Sequence, residues 1–88
     1  MRLFLNKVPD KYLKRLSEPD KGRIKNVLNG LKKEPPQGDI TPIIGQPGFF
    51  RVRVGNYRIL YKIENGIIFV THITSRGQAY NKKNRRKK

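Results

Sequence analysis

The sequence predicts an α+β fold, in the order β-α-α-β-β-β-β, with an N-terminal helical hairpin packed on one face of a mostly antiparallel, twisted sheet. The first observation is that apolar residues recur with helical spacing early in the chain and with a spacing of two later on. The second is that Gly55-Asn56 and Asn65-Gly66 separate short apolar runs, as two-residue hairpin turns do. The third is the length of 88 residues, which is typical of one domain. We expect residues 1–80 to form that domain and residues 81–88 to form a basic tail.

The first strand and the first helix are predicted from the N-terminal residues. Residues 2–6 are rich in Leu and Phe and alternate weakly, which favours a short strand. A helix is expected from Val8-Pro9-Asp10 onward, because proline is favoured at the first helical position and an acidic residue suits the positive end of the helix dipole. Apolar residues up to Leu16 then fall on one helix face, and the helix ends before Ser17.

The second helix is the clearest periodic element of the sequence. The segment Ser17-Glu18-Pro19-Asp20 repeats the same start signal, a capping residue followed by acids and proline. Four apolar residues follow with the spacing of one helix face: Ile24, Val27, Leu28 and Leu31. The helix must end by Glu34, because Pro35 disfavours helical geometry in the residue before it. The two helices therefore form a hairpin.

Four further strands are expected after the helices, because apolar and polar residues alternate there. They span residues 40–45, 49–54, 57–63 and 67–73. The last three form a meander through the two tight turns. The strand at residues 2–6 therefore returns to an edge of the sheet, while the helical hairpin covers one sheet face.

The chain is strongly basic, with 21 Lys and Arg against 6 Asp and Glu and a net charge of +15. Such a charge usually serves a polyanionic partner, so we expect nucleic acid first, an acidic protein second and an anionic membrane surface a distant third. The absence of Cys excludes thiolate metal sites and thiol nucleophiles, and with one His and no acidic cluster no metal or other cofactor is expected. Without a signal peptide or a run of about 18 apolar residues, we expect a cytoplasmic protein with no membrane partner.

A two-residue turn at Gly55-Asn56 determines which side chains share a face of the meander. It pairs Arg53 with Arg58 and Arg51 with Leu60, and partners directly opposite lie on the same face. The apolar residues that alternate with these arginines along the two strands are expected under the helices. Arg51, Arg53 and Arg58 then lie together on the uncovered face. Like charges placed opposite each other destabilise a sheet, and guanidinium groups bind phosphate in bidentate geometry. We therefore expect an anion-binding patch, with simple hydration of the arginines as the alternative.

Residues 45–61, together with Ser75-Arg76-Gly77-Gln78-Ala79-Tyr80, resemble the RelE/ParE superfamily of bacterial and archaeal toxins. The resemblance lies in an F-R-x-R-x-G-x-Y-R-x-x-Y pattern and an R-x-x-x-Y ending. It implies a RelE-like mRNA interferase, a toxin of a type II toxin–antitoxin system. Such a toxin is a metal-independent, ribosome-dependent endoribonuclease that cuts messenger RNA in the A site and inhibits translation. The implied partners are the ribosome, mRNA and a cognate antitoxin, which we expect to be acidic.

The resemblance also implies roles for individual residues. Arg58 would hold the scissile phosphate and stabilise its transition state, Arg76 would lie near the leaving 5′-oxygen, and Tyr80 would orient the target nucleotide or assist proton transfer. Some members of the family carry lysines where this chain has Arg51 and Arg53. Because arginine does not readily lose a proton, we assign these two residues phosphate binding alone. The RNA supplies its own nucleophile, the 2′-hydroxyl.

Two other functions stay open at this point. One is a ParE-like inhibitor of DNA gyrase, which binds a protein and cuts nothing; the R-x-x-x-Y ending together with Arg58 favours the nuclease. The other is a non-catalytic RNA-binding protein, against which stand the few aromatic residues expected on the uncovered face. His72 is expected opposite Ile59 on the helix-covered face, unless a β-bulge moves it, and we therefore leave it out of the site.

Overall fold

The computed structural model describes residues 1–75 of the chain. Within this range seven elements follow one another in the predicted order, which confirms the α+β fold class. They are β1 (Arg2–Leu5), α1 (Lys7–Arg15), α2 (Asp20–Leu31), β2 (Asp39–Pro42), β3 (Phe49–Val54), β4 (Tyr57–Glu64) and β5 (Ile67–Ser75). Arg76, Tyr80 and the predicted tail at residues 81–88 lie outside the described residues.

The five strands form one sheet in the order β1-β5-β4-β3-β2. As predicted, β1 lies at an edge; it runs parallel to β5, whereas the other neighbouring strands are antiparallel. β2 is shorter than the predicted strand at residues 40–45. It ends at Pro42 because the chain then turns: Gln46 N–H donates to the Ile43 carbonyl at 3.2 Å, and Phe49 N–H donates to the Gln46 carbonyl at 3.1 Å.

Two tight turns fix the register of the meander. Gly55 has a φ of 57°, and Asn65 has a φ of 53°, in the left-handed region that glycine and asparagine tolerate best. The resulting β3–β4 register is the predicted one, with Arg53 opposite Arg58 and Arg51 opposite Leu60. Short loops of this kind leave little freedom for the strands to slip.

The core lies between the helices and one face of the sheet. Leu13 of α1 and three residues of α2 pack against alternate residues of β3, β4 and β5. The buried apolar side chains are Leu13, Ile24, Leu28, Leu31, Val52, Val54, Ile59, Tyr61, Ile68, Val70 and Ile73. Both described helices contribute to this single cluster, so within residues 1–75 the opposite sheet face carries no helix.

A β-bulge in β5 corrects the prediction for His72. Tyr61 lies opposite Val70 but Leu60 lies opposite His72, so Thr71 is the extra residue and has no partner in β4. The bulge has a physical reason, because it lets both Val70 and Ile73 enter the core, whereas a regular strand would bury His72 and expose Ile73. His72 is therefore exposed on the uncovered face.

Candidate nucleic-acid interface

The three arginines of the meander lie on the uncovered face of the sheet. Arg51 and Arg53 alternate with the buried Val52 of β3, and Arg58 precedes the buried Ile59 of β4. Since successive side chains of a strand point to opposite faces, burial of the valine and the isoleucine directs the arginines away from the helices. Arg53 and Arg58 lie directly opposite each other, as predicted. We call Arg51, Arg53 and Arg58 the arginine patch.

The charge of the arginine patch is largely uncompensated. The Arg53 Nε lies 4.0 Å from Asp39 Oδ2, and both side chains are more than half exposed, so this pair contributes little. Within residues 1–75, neither Arg51 nor Arg58 has a carboxylate partner. The Arg51 Nε is buried and has no hydrogen-bond partner in the described part of the chain. A buried donor without an acceptor is unfavourable by about 1–3 kcal/mol. An anion at the guanidinium groups would relieve their mutual repulsion.

His72 joins the face of the arginine patch, although sequence reasoning placed it under the helices. Arg58 lies opposite Thr74, so His72, two residues earlier on the same face, is a diagonal neighbour of Arg58. The Thr71 hydroxyl donates to the Leu60 carbonyl at 3.2 Å and lies 3.0 Å from His72 Nδ1. The hydroxyl oxygen therefore accepts from an Nδ1–H, and in the neutral imidazole with this tautomer Nε2 is the acceptor. The sequence contained a signal for the bulge, because Val70 and Ile73 are three residues apart. In a regular strand two apolar residues with this spacing would point to opposite faces.

The uncovered face also carries more aromatic side chains than the sequence suggested. Phe4 of β1 lies opposite Phe69 of β5, which lies opposite Lys62 of β4, and Lys62 lies opposite Phe49 of β3. Phe4 is 44% exposed. The expectation that the uncovered face carries few aromatic residues is therefore wrong. The pairing of β1 with β5, which joins distant parts of the chain, is what brings Phe4 to Phe69.

Residues 5–80 match the family model described as the ParE toxin of type II toxin–antitoxin systems, parDE. The chain belongs to this toxin family. It is thus a toxin of the RelE/ParE superfamily, as the arginine-rich motif predicted. No curated protein sequence matches the toxin.

Solved structures similar to the toxin are toxin–antitoxin complexes. The RelB–RelE complex from Methanococcus jannaschii has a chain with 26% identity and a TM-score of 0.73, and the match covers 89% of the toxin and 95% of that chain. The archaeal RelE–RelB complex from Pyrococcus horikoshii gives 24% identity, a TM-score of 0.73 and coverage of 86% and 94%. The RelBE2 complex from Mycobacterium tuberculosis gives 18% identity and a TM-score of 0.69, and the match covers 84% of the toxin and 95% of that chain. The last two matches show the fold alone.

Tyr57 of the toxin ties the start of β4 to the start of α2. Its hydroxyl donates to Asp20 Oδ2 at 2.7 Å, and this hydrogen bond, together with burial and the Asp20 charge, raises the pKa of Tyr57 to about 12. The phenol is therefore protonated at neutral pH. Tyr57 and Arg58 line a cleft of about 60 Å³ at the β3–β4 hairpin, beside Arg53. Burial raises the pKa of Tyr61, which lies in the core.

The described part of the toxin, residues 1–75, has no candidate metal site or membrane-spanning helix. No three His, Asp or Glu side chains in this range lie close enough together to hold a metal ion. No helix in the same range is long and apolar enough to cross a membrane. The predicted site residues Arg76 and Tyr80 lie outside the described residues, so of the five predicted site residues the structure brings Arg51, Arg53 and Arg58 together.

Proposed function

We propose that the toxin is a ribosome-dependent endoribonuclease that cleaves mRNA in the A site and thereby inhibits translation. The observation that carries this proposal is the arginine patch. Arg53 and Arg58 lie directly opposite each other on a sheet face without a described helix, and Arg51 lies beside them with a buried, unpartnered Nε. A phosphodiester is the ligand that such a cluster of fixed guanidinium groups binds best.

The proposed reaction uses the RNA as its own nucleophile. The 2′-oxygen attacks the adjacent phosphorus, the bond from phosphorus to the 5′-oxygen breaks, and a 2′,3′-cyclic phosphate and a free 5′-hydroxyl result. The proton of the 2′-hydroxyl passes to a base, and the leaving 5′-oxygen receives a proton. Arg58 stabilises the charge on the phosphoryl oxygens, and Arg51 and Arg53 hold neighbouring phosphates. By resemblance to the family, Arg76 and Tyr80 act at the leaving group and the target nucleotide.

His72 is our candidate for the base. Its Nε2 is an exposed acceptor on the same face as the arginine patch, and its Nδ1 is held by Thr71. A neutral imidazole of this kind accepts the proton of a hydroxyl group, which the always protonated arginines do not.

The proposed partners are an acidic antitoxin, the ribosome and mRNA. The solved structures similar to the toxin hold RelB antitoxins. The outer helix faces and the turn after α2 carry basic side chains suited to ribosomal RNA or to an acidic chain: Lys11, Lys14, Arg15, Lys21, Lys25, Lys32 and Lys33. Only Lys14 of this set forms an ion pair within the described residues, with Asp10 at 3.1 Å. We propose that the toxin acts in the cytoplasm, where translating ribosomes lie.

Charge reversal in the arginine patch tests this proposal. Arg58→Glu is expected to abolish cleavage of translated messages while circular dichroism stays unchanged, because Arg58 is exposed and has no described ion pair. Primer extension on messages after induction of the toxin locates cuts within codons. Lys7→Glu, at the first residue of α1, is the matched control, since it makes the same change in sign at an exposed residue outside the patch. Cleavage that survives in Arg58→Glu would contradict the proposal.

A second candidate function is inhibition of DNA gyrase. The match to the ParE family model favours it, because resemblance to ParE toxins implies binding to gyrase without RNA cleavage. The same induction experiment separates the two functions. Cuts in the A site support the endoribonuclease, whereas DNA damage with intact messages supports the gyrase inhibitor.

A further inference from the structure

A row of side chains crosses the uncovered face beside the arginine patch. Phe4, Phe69, Lys62 and Phe49 lie opposite one another in the register of four neighbouring strands. The Phe4 and Phe69 rings stack with centroids 6.0 Å apart and planes at 21°. The Lys62 Nζ lies 5.8 Å from the Phe69 centroid, and the Arg2 Cζ lies 5.3 Å from the Phe4 centroid. We call Phe4, Phe69 and Phe49, with the cations Lys62 and Arg2, the aromatic row.

The aromatic row is not explained by the core of the protein. The core lies on the other sheet face, and neither described helix covers Phe4, which is 44% exposed. Large apolar rings grouped at a surface indicate a binding site more often than a structural need. Rings that alternate with cations on a sheet are the combination that binds single-stranded nucleic acids, because the rings stack on bases and the cations attract phosphates.

We propose that the aromatic row is a base-stacking subsite for the RNA strand that the arginine patch holds; this rests on the proposed function. Arg58 and Lys62 lie on the same strand face, four residues apart, which at ~3.4 Å per residue is about 14 Å. Nucleotides stacked as in a helix advance ~3.4 Å each, so this distance spans about four nucleotides, and fewer in an extended strand. The stacked base therefore lies about two to four nucleotides from the scissile phosphate.

The position of the row favours RNA over an acidic protein chain. An RNA strand whose phosphate lies on Arg58 continues across the sheet face. The aromatic row lies on that face, and no carboxylate among the described residues lies between it and Arg58. The described carboxylates of the face lie at its margins, Asp39 beside Arg53 and Glu64 beside Lys62 at 3.5 Å. An acidic polypeptide would satisfy the cations, but its carboxylates offer no planar surface to the rings.

Binding of a single-stranded RNA oligonucleotide to the full-length toxin tests the subsite without ribosomes. The probes have about ten nucleotides, within the usual site sizes of such grooves. One series of probes carries a fluorescent purine analogue that is quenched on stacking, and each member of the series has the analogue at a different position of the RNA. A second is abasic at the quenched position, so its charge is the same. The variants are Phe4→Leu with Phe69→Leu, which keeps apolar volume, and Phe4→Tyr with Phe69→Tyr, which keeps the rings.

The leucine variant is expected to lose the quenching and to bind the normal oligonucleotide about tenfold more weakly, whereas its affinity for the abasic probe stays the same. The tyrosine variant is expected to behave like the unchanged toxin. Ile44→Ala, at a side chain 98% exposed in the loop after β2, controls for loss of any exposed apolar group. Thermal melting verifies that each variant is folded.

Three results would overturn the subsite. The leucine variant could discriminate normal from abasic RNA as well as the unchanged toxin does, as a face that binds protein would. It could lose affinity for both probes equally, which would give the rings only a supporting role. Quenching could be absent at every position of the strand. Cleavage on ribosomes is measured in parallel, so a toxin that stacks RNA bases but cuts no message would refute the proposed function and not the stacking.

Discussion

At the scale of single residues, the site follows from alternation along two short strands. Val52 and Ile59 are fully buried, and their burial alone directs the neighbouring arginines outward. This part of the site was predictable from the sequence, because a local turn determines the register of Arg53 against Arg58. Phe4 and Phe69 were not predictable as a pair, because they are joined by a parallel contact between the two ends of the described chain, for which no local motif exists.

His72 provides the sharpest test at the residue scale. His72→Gln is expected to slow cleavage on ribosomes by about a hundredfold, because glutamine does not accept the proton of the 2′-hydroxyl. RNA affinity is expected to stay the same, since the arginine patch is intact. Rates are measured in single turnovers on ribosomes stalled with a defined codon. Thr74→Ala is the control on the same strand face, and an unchanged rate in His72→Gln would remove the histidine from the mechanism.

At the scale of elements, the bulge in β5 decides what the uncovered face contains. The turn at Asn65 and Gly66 sets a regular ladder from Glu64 to Tyr61, which the sequence predicted. Beyond Tyr61 the ladder shifts by one residue, because burial of both Val70 and Ile73 outweighs continuous pairing. Turn chemistry is local and readable from two residues, whereas a bulge results from competition between the ladder and the core. The register of the last five residues of β5 was therefore the part that sequence reasoning missed.

The Tyr57–Asp20 hydrogen bond adds a polar contact between α2 and β4 to the apolar packing of the core. Tyr57→Phe is expected to lower the free energy of unfolding by about 1–2 kcal/mol, because α2 loses its polar attachment to β4. Urea denaturation at neutral pH measures this difference. Thr74→Ala, at an exposed side chain opposite Arg58 in β5, is a control for loss of a hydroxyl at the same end of the sheet.

The same hydrogen bond has a pH signature. The pKa of Tyr57 is about 12 in the folded toxin, above the ordinary value of 10.0. The folded state therefore keeps a proton that the unfolded state releases, and rising pH favours unfolding between about 10 and 12. The stability advantage of the unchanged toxin over Tyr57→Phe is thus full below pH 10 and declines through pH 12. An advantage that stays constant across this range would contradict the assignment.

At the scale of the whole molecule, the net charge of +15 acts against the folded state. The described ion pairs lie mostly between exposed side chains, so they offset little of the repulsion. Neither the pairing of the strands nor the packing of the core requires such a charge. The excess is understandable when the toxin works against polyanions, because the same repulsion that weakens the free chain favours binding to RNA, to the ribosome or to an acidic antitoxin.

Salt is therefore expected to have opposite effects on folding and on binding. Raising NaCl shortens the screening length from ~10 Å at 0.1 M to ~3 Å at 1 M, so the melting temperature of the free toxin is expected to rise by several degrees. Affinity for RNA is expected to fall steeply over the same range, because counterions compete for the phosphates. When phosphate replaces chloride at equal ionic strength, the screening is the same but phosphate ions also bind to the arginine patch and stabilise the folded toxin further. This additional stabilisation is expected to be smaller in Arg58→Gln. A melting temperature that is flat or falling in NaCl would show that self-repulsion does not limit the fold, and equal phosphate effects in both proteins would place the anion away from the arginine patch.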